Sequence, residues 1–408
     1  MATALPADRK YDLYSQALKN DPYPVFARMR HDDPVFRQIG MDGQTPIWFV
    51  TRYADVQAIL ADDGRFVRDV NLAIPPDPDA KPGQLQTLLE NHMLNKDGAD
   101  HRRLRTLVSL AFTPARVRAL RPAIQAIADA LLDAVAPRGA MDLVADYAYP
   151  LPTIVISQLL GVPAQDRDRF KLWSNAFVMP ALTPEEQARS GKLLQEFVDY
   201  LGALFAERRA APADDLISAL LSAEAESDQL SQGELFSTVV LLIVAGHETT
   251  VSLIGNAALA LLRDPTARAR LQAEPDRMPA VVEEFLRYDS PVERALTRWV
   301  ARDTELGGQS LRRGDIIIAV LGAANRDAAQ FSQPDALNLD QPAQRHLAFG
   351  HGVHYCLGAP LARLEGEIAL NTLLRRLPDL RLAVPEAELQ WRLVPMFRGL
   401  AALPVEWG

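Results

Sequence analysis

Hydrophobic and polar positions repeat with a period near 3.6 over long stretches of the chain, and this pattern predicts helices. These stretches are rich in Ala, Leu, Arg and Glu, which favour helix, and they cover residues 116–135, 193–209 and 231–263. Short β-like runs are fewer and cover residues 47–51, 297–301 and 315–321, with a turn at Gly307-Gly308 between the last two. The pattern therefore predicts a mainly α protein with small β sheets.

The longest predicted helix, 231–263, contains an interruption at its centre. Ser231 and Glu234 form a capping box at its start, and Asp264-Pro265 ends it. At 1.5 Å per residue it spans about 48 Å and, being apolar on most faces, should cross the core. Residues 245–250 read A-G-H-E-T-T, which is polar and small. Either the helix emerges into solvent there, or a polar notch faces a cavity; the return of apolar residues at Val251 favours the cavity.

The single cysteine lies in a glycine-rich segment. Residues 349–358 read F-G-H-G-V-H-Y-C-L-G, and a helical pattern follows to residue 377 with Pro360 in its first turn. Cys356 is therefore expected at a helix N-terminus, where the macrodipole favours a thiolate. A lone cysteine is most often a buried hydrophobic residue. The three glycines instead favour a loop against which a bulky planar group can lie.

Composition and charge narrow the class of protein. The chain has 408 residues, a net charge of −9 and one cysteine, so it holds no internal disulfide and no zinc site of several thiolates. A negative balance argues against nucleic-acid binding. The most apolar run, 239–245, is too short to cross a membrane, and no signal peptide is apparent, so we expect a cytoplasmic protein. Without a Gly/Ser-rich linker, residues 1–408 should form one domain, with 1–10 as a flexible tail and prolines 75, 76, 78 and 82 marking a loop.

These residues resemble the cytochrome P-450 (haem-thiolate) family, of the soluble bacterial type. Residues 349–358 look like its haem-binding signature, and residues 245–250 resemble its A-G-x-E-T-T oxygen-activation motif. Residues 284–287 resemble its E-x-x-R motif and residues 101–105 its H-x-x-x-R motif, in the family's order. The resemblance covers nearly the whole chain. It implies a helical prism that binds haem between the long central helix and the helix after the cysteine loop.

The resemblance implies the cofactor haem b (iron protoporphyrin IX), with Cys356 as the thiolate ligand of the iron. It also assigns haem contacts to Ala245, Phe349, Gly350 and Gly358. The propionates are expected on His101, Arg105, Arg298 and His354, each of which could instead be an ordinary surface base.

Two further motifs carry implied roles. Glu284 and Arg287 lie three apart on a helix and are either an ordinary surface pair or, by resemblance, a buried structural pair. The family's usual third partner is missing, and either Gln341 or Arg345 could replace it. Glu248 and Thr249 are implied to relay protons to oxygen, with Ala245 and Gly246 leaving room for O2. His247 could donate a proton, but a packed or solvent-facing histidine is the favoured interpretation.

The predicted activity is insertion of one oxygen atom from O2 into a lipophilic small molecule. Six arginines and no acid between His101 and Arg121 form either a solvated helix face or a docking surface for a ferredoxin or flavodoxin electron donor. A peroxide-driven hydroxylase and a non-catalytic haem sensor are the alternatives, and Glu248-Thr249 disfavours both. Glu293 and Arg294 could contact a polar group of the substrate or, as favoured, simply face solvent. By resemblance, the substrate pocket draws on residues 66–92, 165–209, 243–249, 292–296 and 394–397.

Overall fold

The computed structural model of the chain describes residues 10–76, 83, 88–109, 112–179, 181, 183–227, 230–340 and 345–408. In chain order its helices are α1 (Gln16–Asn20), α2 (Tyr23–Asp32), α3 (Tyr53–Ala61), α4 (Val70–Ala73), α5 (Gly98–Ser109), α6 (Pro114–Ala119), α7 (Arg121–Val135), α8 (Pro150–Leu160), α9 (Arg167–Val178), α10 (Pro184–Ala210), α11 (Leu216–Ser227), α12 (Gln232–Arg263), α13 (Pro265–Ala273), α14 (Met278–Tyr288), α15 (Leu321–Ala324) and α16 (Ala359–Arg376). Single 3-10 turns lie at Met93–Asn95, Ala136–Arg138, Ala164–Asp166, Pro275–Arg277, Gly352–His354 and Glu386–Glu388, and a π turn at Val144–Ala148.

The described strands form three small sheets. They are β1 (Val35–Ile39), β2 (Pro46–Val50), β3 (Phe66–Val67), β4 (Ala140–Asp142), β5 (Arg298–Val300), β6 (Thr304–Leu306), β7 (Gln309–Leu311), β8 (Ile316–Ala319), β9 (Arg381–Leu382) and β10 (Pro404–Glu406). The sheets have the orders β1-β2-β8-β5-β3, β4-β10-β9 and β6-β7, and only β2 and β8 pair in parallel. The predicted class, mainly α with small sheets, is confirmed.

The chain forms two compact units. Unit 1 comprises Met1–Pro75, Arg121–Ala148 and Thr249–Gly408, and unit 2 comprises Pro76–Leu120 and Tyr149–Glu248. All the described strands belong to unit 1. One domain over residues 1–408 stays a prediction. Residues 1–9 of the expected tail and Pro78 and Pro82 of the expected loop lie outside the described residues.

The predicted helix 116–135 is wrong in one respect, because it is two helices, α6 and α7. The break falls at Leu120, two residues before Pro122. Proline has no amide hydrogen, so Pro122 cannot donate to the carbonyl of Arg118, and the proline is accommodated in the first turn of a new helix instead.

Helix α12 has the predicted capping box. The amide of Ser231 donates to Glu234 Oε2 at 2.8 Å, and the amide of Glu234 donates to Ser231 Oγ at 3.2 Å. Within the described residues, α12 alone is long and apolar enough to cross a membrane, and 83% of its most apolar window is buried inside the protein. A helix buried to this extent inside the protein is typical of a core helix.

Each unit has its own core. In unit 1, α12, α14 and α16 meet through Leu253, Val282 and Leu370, which are at most 2% exposed. In unit 2, α9 and α10 meet through an aromatic cluster in which Trp173 stacks on Phe197 with ring centroids 4.8 Å apart. Large rings buried in this way supply most of the apolar area that such a helix pair removes from water.

Candidate active site

The cysteine loop is closed by its own backbone within unit 1. The amide of Cys356 donates to the carbonyl of Phe349 at 2.9 Å, and α16 begins three residues after the cysteine. Gly352 has φ +73°, and a Cβ there would lie 2.4 Å from the carbonyl oxygen of Leu60 at the end of α3. The loop can therefore rest against α3 only with glycine at this position.

The thiol of Cys356 is accessible although the helix that follows it is largely buried. Cys356 is exposed, whereas Ala359, Leu361 and Leu364 are buried. A Cβ on Gly358 would lie 4.0 Å from Sγ, so this glycine stands beside the sulfur. An accessible thiol next to a helix N-terminus is a donor that suits a haem iron, and the glycines leave the adjoining backbone uncovered. The residues present thus fit the implied cofactor.

A charged cluster that the sequence did not predict supports the loop. Arg363 of α16 binds both carboxylate oxygens of Glu283 at 2.7 Å, and its guanidinium lies 4.6 Å from the ring centre of Phe349. His346 Nε2 lies 3.3 Å from the same carboxylate. Burial raises the pKa of Glu283, but these hydrogen bonds outweigh it and lower the pKa to about 2. The cluster thus fastens α14, α16 and the start of the loop together.

Glu284 and Arg287 form a buried, two-bond ion pair. Arg287 donates from Nε and from a terminal nitrogen to the two oxygens of Glu284, at 2.8 and 2.6 Å. Arg287 also donates to the backbone carbonyls of Asn325, Pro334 and Ala336 at 2.7–3.1 Å. The amide of Asn338 donates to Glu284 at 2.8 Å.

Among the described residues, backbone groups of 325–338 complete this network in place of a third side chain. Gln341 lies outside the described residues, and the carbonyl of Arg345 accepts the hydroxyl of Tyr53 at 2.6 Å. A sequence pattern cannot indicate such partners, because every residue carries the same backbone groups.

The interruption in α12 is a notch in an otherwise buried helix. Ala245 is exposed and Thr249 half-buried, whereas Val244 and Thr250 are buried. The helix therefore does not emerge into solvent. A Cβ on Gly246 would lie 2.9 Å from Ile156 Cγ1. The expectation that Gly246 leaves room for O2 is wrong, because Ile156 of α8 occupies that space.

His247 and Glu248 lie together inside unit 2. His247 is 0% exposed, its Nδ1 lies 2.7 Å from the carbonyl oxygen of Ile243, and its Nε2 lies 3.6 Å from Glu248 Oε1. The ring of Tyr149 meets that of His247 edge-on, with centroids 5.7 Å apart. His247 is therefore packed, as favoured from the sequence.

The expected propionate partners are divided between the units. His101 (2% exposed) and Arg105 lie on α5 of unit 2, while Arg298 (3% exposed) and His354 belong to unit 1. Arg298 donates to the carbonyl of Phe66 at 2.7 Å. Because His101 and Arg298 are buried, they are not ordinary basic residues of the surface. Unit 1 also holds Thr249 and the cysteine loop, and unit 2 holds Ala245 and Glu248.

Glu293 and Arg294 do not face solvent, so that expectation is wrong. They are 1% and 3% exposed, and their side chains pair at 3.2 Å. Lys19 of α1 binds Glu293 at 3.1 Å, and burial lowers the pKa of this lysine to about 8. The sequence could not indicate that Lys19 pairs with Glu293, because the two residues lie 274 positions apart in the chain.

Glu365 is a buried carboxyl group of unit 1 that the sequence analysis also missed. It lies on α16 and is 1% exposed, and the hydroxyl of Thr250 on α12 is a polar neighbour of its carboxyl group. Burial raises its pKa to about 8, with the hydroxyl of Thr250 acting in the opposite direction. The carboxyl group is therefore protonated at neutral pH.

We expect Glu365→Gln to stabilise the protein more as the pH rises. Between the unfolded pKa near 4.5 and the folded value of about 8, the unfolded chain binds fewer protons than the folded chain. Glu365 therefore lowers the free energy of unfolding by about 1.4 kcal/mol per pH unit across that window. Urea unfolding at pH 5 and pH 8 measures the difference, and an equal effect of the substitution at both pH values would contradict the assignment.

Known proteins with similar sequences belong to one family. The cytochrome P450 family model matches residues 16–380. The polyketide biosynthesis cytochrome P450 PksS of Bacillus subtilis (strain 168) is 42% identical over 396 residues, covering 96% of this chain and 97% of that protein. The vitamin D(3) 25-hydroxylase of Pseudonocardia autotrophica is 41% identical over 409 residues, covering 100% of this chain and 99% of that protein.

A solved structure extends the agreement to the fold. The crystal structure of the myxobacterial cytochrome P450 CYP267B1 in complex with myristic acid superposes with a TM-score of 0.92 at 43% identity, covering 97% of this chain and 98% of that one. Enzymes of this family are oxidoreductases that carry haem b on a cysteine thiolate. The chain therefore belongs to the bacterial cytochrome P450 monooxygenases.

Proposed function

We propose that this protein is a cytoplasmic enzyme that inserts one oxygen atom from O2 into a lipophilic small organic substrate, with electrons from a separate ferredoxin or flavodoxin. The observation that carries the proposal is the accessible thiol of Cys356 in a closed glycine loop at the start of α16. The named relatives support a lipophilic substrate, because they concern a polyketide, vitamin D(3) and myristic acid.

Haem bound through Cys356 supplies the iron at which dioxygen is reduced and split. By the family resemblance, Phe349, Gly350 and Gly358 of the loop, and Ala245 of α12, would contact the cofactor. The buried bases His101 and Arg298, with Arg105 and His354, would hold the propionates. The Glu284–Arg287 pair would act on the site indirectly, because it holds the backbone of residues 325–338 ahead of the loop.

Glu248 and Thr249 are the groups that would move protons. Thr249 of α12 is half-buried, and its hydroxyl would hold a water molecule that carries protons toward bound dioxygen. Glu248, which is 3% exposed, can hold a proton without admitting bulk water. The proposed relay therefore consists of the Thr249 hydroxyl and the buried Glu248 carboxyl group.

We expect Thr249→Ala to uncouple electron use from product formation. Without the hydroxyl, protons reach the reacting oxygen at the wrong position and hydrogen peroxide is released, so product per electron pair should fall about a hundredfold, the low end of the range for one acid–base group. Product and hydrogen peroxide are measured against consumed reductant. Thr249→Ser should restore coupling, and the neighbouring Thr250→Ala is the matched control; coupling that survives Thr249→Ala would contradict the role.

The visible spectrum tests the proposed function as a whole. The reduced, CO-bound protein should show the red-shifted Soret band of thiolate ligation, and a band typical of histidine ligation would refute it. Titration with myristic acid, vitamin D(3) and a set of polyketides then identifies the substrate class, because a bound substrate displaces the water on the iron. Binding without product in the presence of reductant would support a sensor instead.

The electron donor would dock on exposed arginines of unit 2. Of the six arginines between 101 and 121, Arg103 binds Glu234 and Arg121 binds Glu367, so their charges are compensated. The basic surface is therefore smaller than the sequence suggested, and consists of the exposed residues Arg102, Arg116 and Arg118. Such a surface suits an acidic partner protein.

We expect salt to slow electron transfer through this basic surface. Replacing Arg102, Arg116 and Arg118 with glutamine should lower the second-order rate constant about tenfold at low ionic strength and flatten its dependence on salt. Stopped-flow reduction by a ferredoxin measures both quantities. A triple variant at the exposed residues Lys192, Arg302 and Arg312 is the matched control. Equal rates in the two variants would contradict the docking surface.

A further inference from the structure

Arg363 of α16 contacts two residues that are bonded to Cys356. The first is Phe349, whose carbonyl accepts the amide of Cys356 at 2.9 Å and whose ring centre lies 4.6 Å from the guanidinium. The second is Tyr355, which precedes Cys356 in the chain and whose hydroxyl oxygen accepts a hydrogen bond from Arg363 at 3.3 Å. The positive charge of Arg363 is therefore held against the cysteine loop at two points.

Glu283 of α14 supplies the counter-charge in a fixed geometry. Nε and a terminal nitrogen of Arg363 each donate to one of its carboxylate oxygens at 2.7 Å, which is the two-bond arrangement that guanidinium and carboxylate groups favour. A lysine could not form it, because an ammonium is a single point charge. The side chains of Glu283 and Arg363 are 17% and 36% exposed, so water screens the pair only in part.

His346 orients this carboxylate from the segment before the loop. The amide of Ala348 donates to His346 Nδ1 at 3.2 Å, and a ring nitrogen that accepts a hydrogen bond carries no hydrogen. The ring hydrogen is therefore on Nε2, which donates to Glu283 Oε2 at 3.3 Å. Although burial raises the pKa of Glu283, its hydrogen bonds with Arg363 and His346 lower it to about 2. Glu283 is thus ionised at neutral pH, and the Glu283–Arg363 pair has no net charge.

An ion pair beside the cysteine loop acts on the electron affinity of the site. With haem bound through Cys356, reduction adds one negative charge at the iron and its sulfur ligand. A nearby positive charge without a partner stabilises the reduced form, and a negative charge without a partner stabilises the oxidised form. Because the charged groups of Glu283 and Arg363 are in direct contact, their opposite effects on the loop largely cancel. Removal of one partner would expose the effect of the other.

We propose that Glu283 is a positioning residue of the haem-thiolate site, which cancels the charge of Arg363 beside Cys356 and thereby lowers the reduction potential of the enzyme. Neither residue gains or loses a proton, and the electron is the one that the ferredoxin or flavodoxin supplies. This inference rests on the proposed function and deepens it. The alternative is a mechanical role, in which the cluster only fastens α14 to α16.

A spectroelectrochemical titration of the holoenzyme at neutral pH and low ionic strength measures the reduction potential. In Glu283→Gln the side chain keeps its shape, but the charge of Arg363 loses its partner. The equilibrium constant for one-electron reduction should rise about threefold, which is about 28 mV, since a tenfold change corresponds to about 59 mV. The effect is modest because Arg363 is partly exposed and water screens its charge.

Two double variants separate the effect of charge from that of fastening. Glu283→Gln/Arg363→Gln removes both charges and should restore the parental potential. Glu283→Gln/Arg363→Lys loses the two-bond geometry but keeps the positive charge, so its potential should stay raised. A mechanical role predicts that both double variants depart from the parent at least as far as the single variant, because each of them breaks the link between α14 and α16. Urea unfolding of the same proteins measures the loss of fastening separately.

The ion pair between Arg270 and Asp340 is the matched control. Arg270 is 35% exposed, binds both oxygens of Asp340 at 2.6 Å, and lies on α13, with Glu274 as its other described partner. Asp340→Asn therefore leaves a guanidinium of similar exposure without its carboxylate, and the potential should not change. An unchanged potential in Glu283→Gln, an equal shift in Asp340→Asn, or a raised potential in Glu283→Gln/Arg363→Gln would overturn the proposal.

The same samples separate this inference from the proposed function. The reduced, CO-bound spectrum is recorded for the parent and for each variant. A red-shifted Soret band, together with a potential that does not follow the charge at position 363, refutes the role of Glu283 alone. A band typical of histidine ligation in the parent refutes the haem-thiolate site, and with it both proposals.

Discussion

Replacing Cys356 with serine is expected to abolish monooxygenase activity while leaving the protein folded. The thiolate pushes electron density onto the iron and favours cleavage of the O–O bond, which a serine hydroxyl cannot do at neutral pH. Cys356 is exposed, so the substitution removes little buried surface. Turnover should fall at least about a thousandfold, as it does when a group required for a chemical step is removed.

The measurements are product formation and the spectrum of the reduced, CO-bound variant, with circular dichroism as the check on folding. Cys356→His is the informative companion, because it keeps a ligand at the same position but changes its chemistry. It should bind haem and show a band typical of histidine ligation. Oxygenation at the parental rate by Cys356→Ser would show that the thiolate is not the ligand.

Replacing Arg287 with methionine is expected to destabilise unit 1 by about 3–5 kcal/mol, the usual cost of removing one partner from a buried ion pair. The substitution leaves the buried carboxylate of Glu284 with the amide of Asn338, and three backbone carbonyls lose their donor. The side chain of Arg287 is 2% exposed, so water does not replace these bonds.

Urea unfolding measures this loss, and haem content per protein measures its consequence for the site. The exposed pair between Arg270 and Asp340 supplies the control, since Arg270→Met should leave the unfolding midpoint almost unchanged. The double variant Glu284→Gln/Arg287→Met should regain part of the loss, because no buried charge is left without its partner. A cost for Arg287→Met no larger than that for Arg270→Met would contradict the structural role.

Much of the fold was predictable because it depends on local signals. The capping box at Ser231 and the apolar faces of α12 follow from neighbouring residues, as does the start of α16 after the glycine loop. The break between α6 and α7 was equally local, since Pro122 is visible in the sequence. It was missed because the surrounding periodicity continues through the proline.

The site was predictable in part for the same reason. The cysteine loop is contiguous in sequence, so its glycines and its thiol can be found together. Arg363, by contrast, holds the loop through Glu283, eighty residues away. Lys19 reaches Glu293 across 274 residues. No periodicity indicates contacts of this kind.

The sequence by itself determined the class of chemistry, because a thiolate, a glycine loop and an acid–alcohol pair must each be made of particular residue types in a particular order. Only the tertiary structure decided which charges are buried and what neutralises them. It placed Glu365 in the core as a neutral acid, compensated two of the six arginines of the basic segment, and put His247 against Glu248. The physical reason is that the free energy of a charge depends on its burial and its neighbours, and both are products of packing between distant segments.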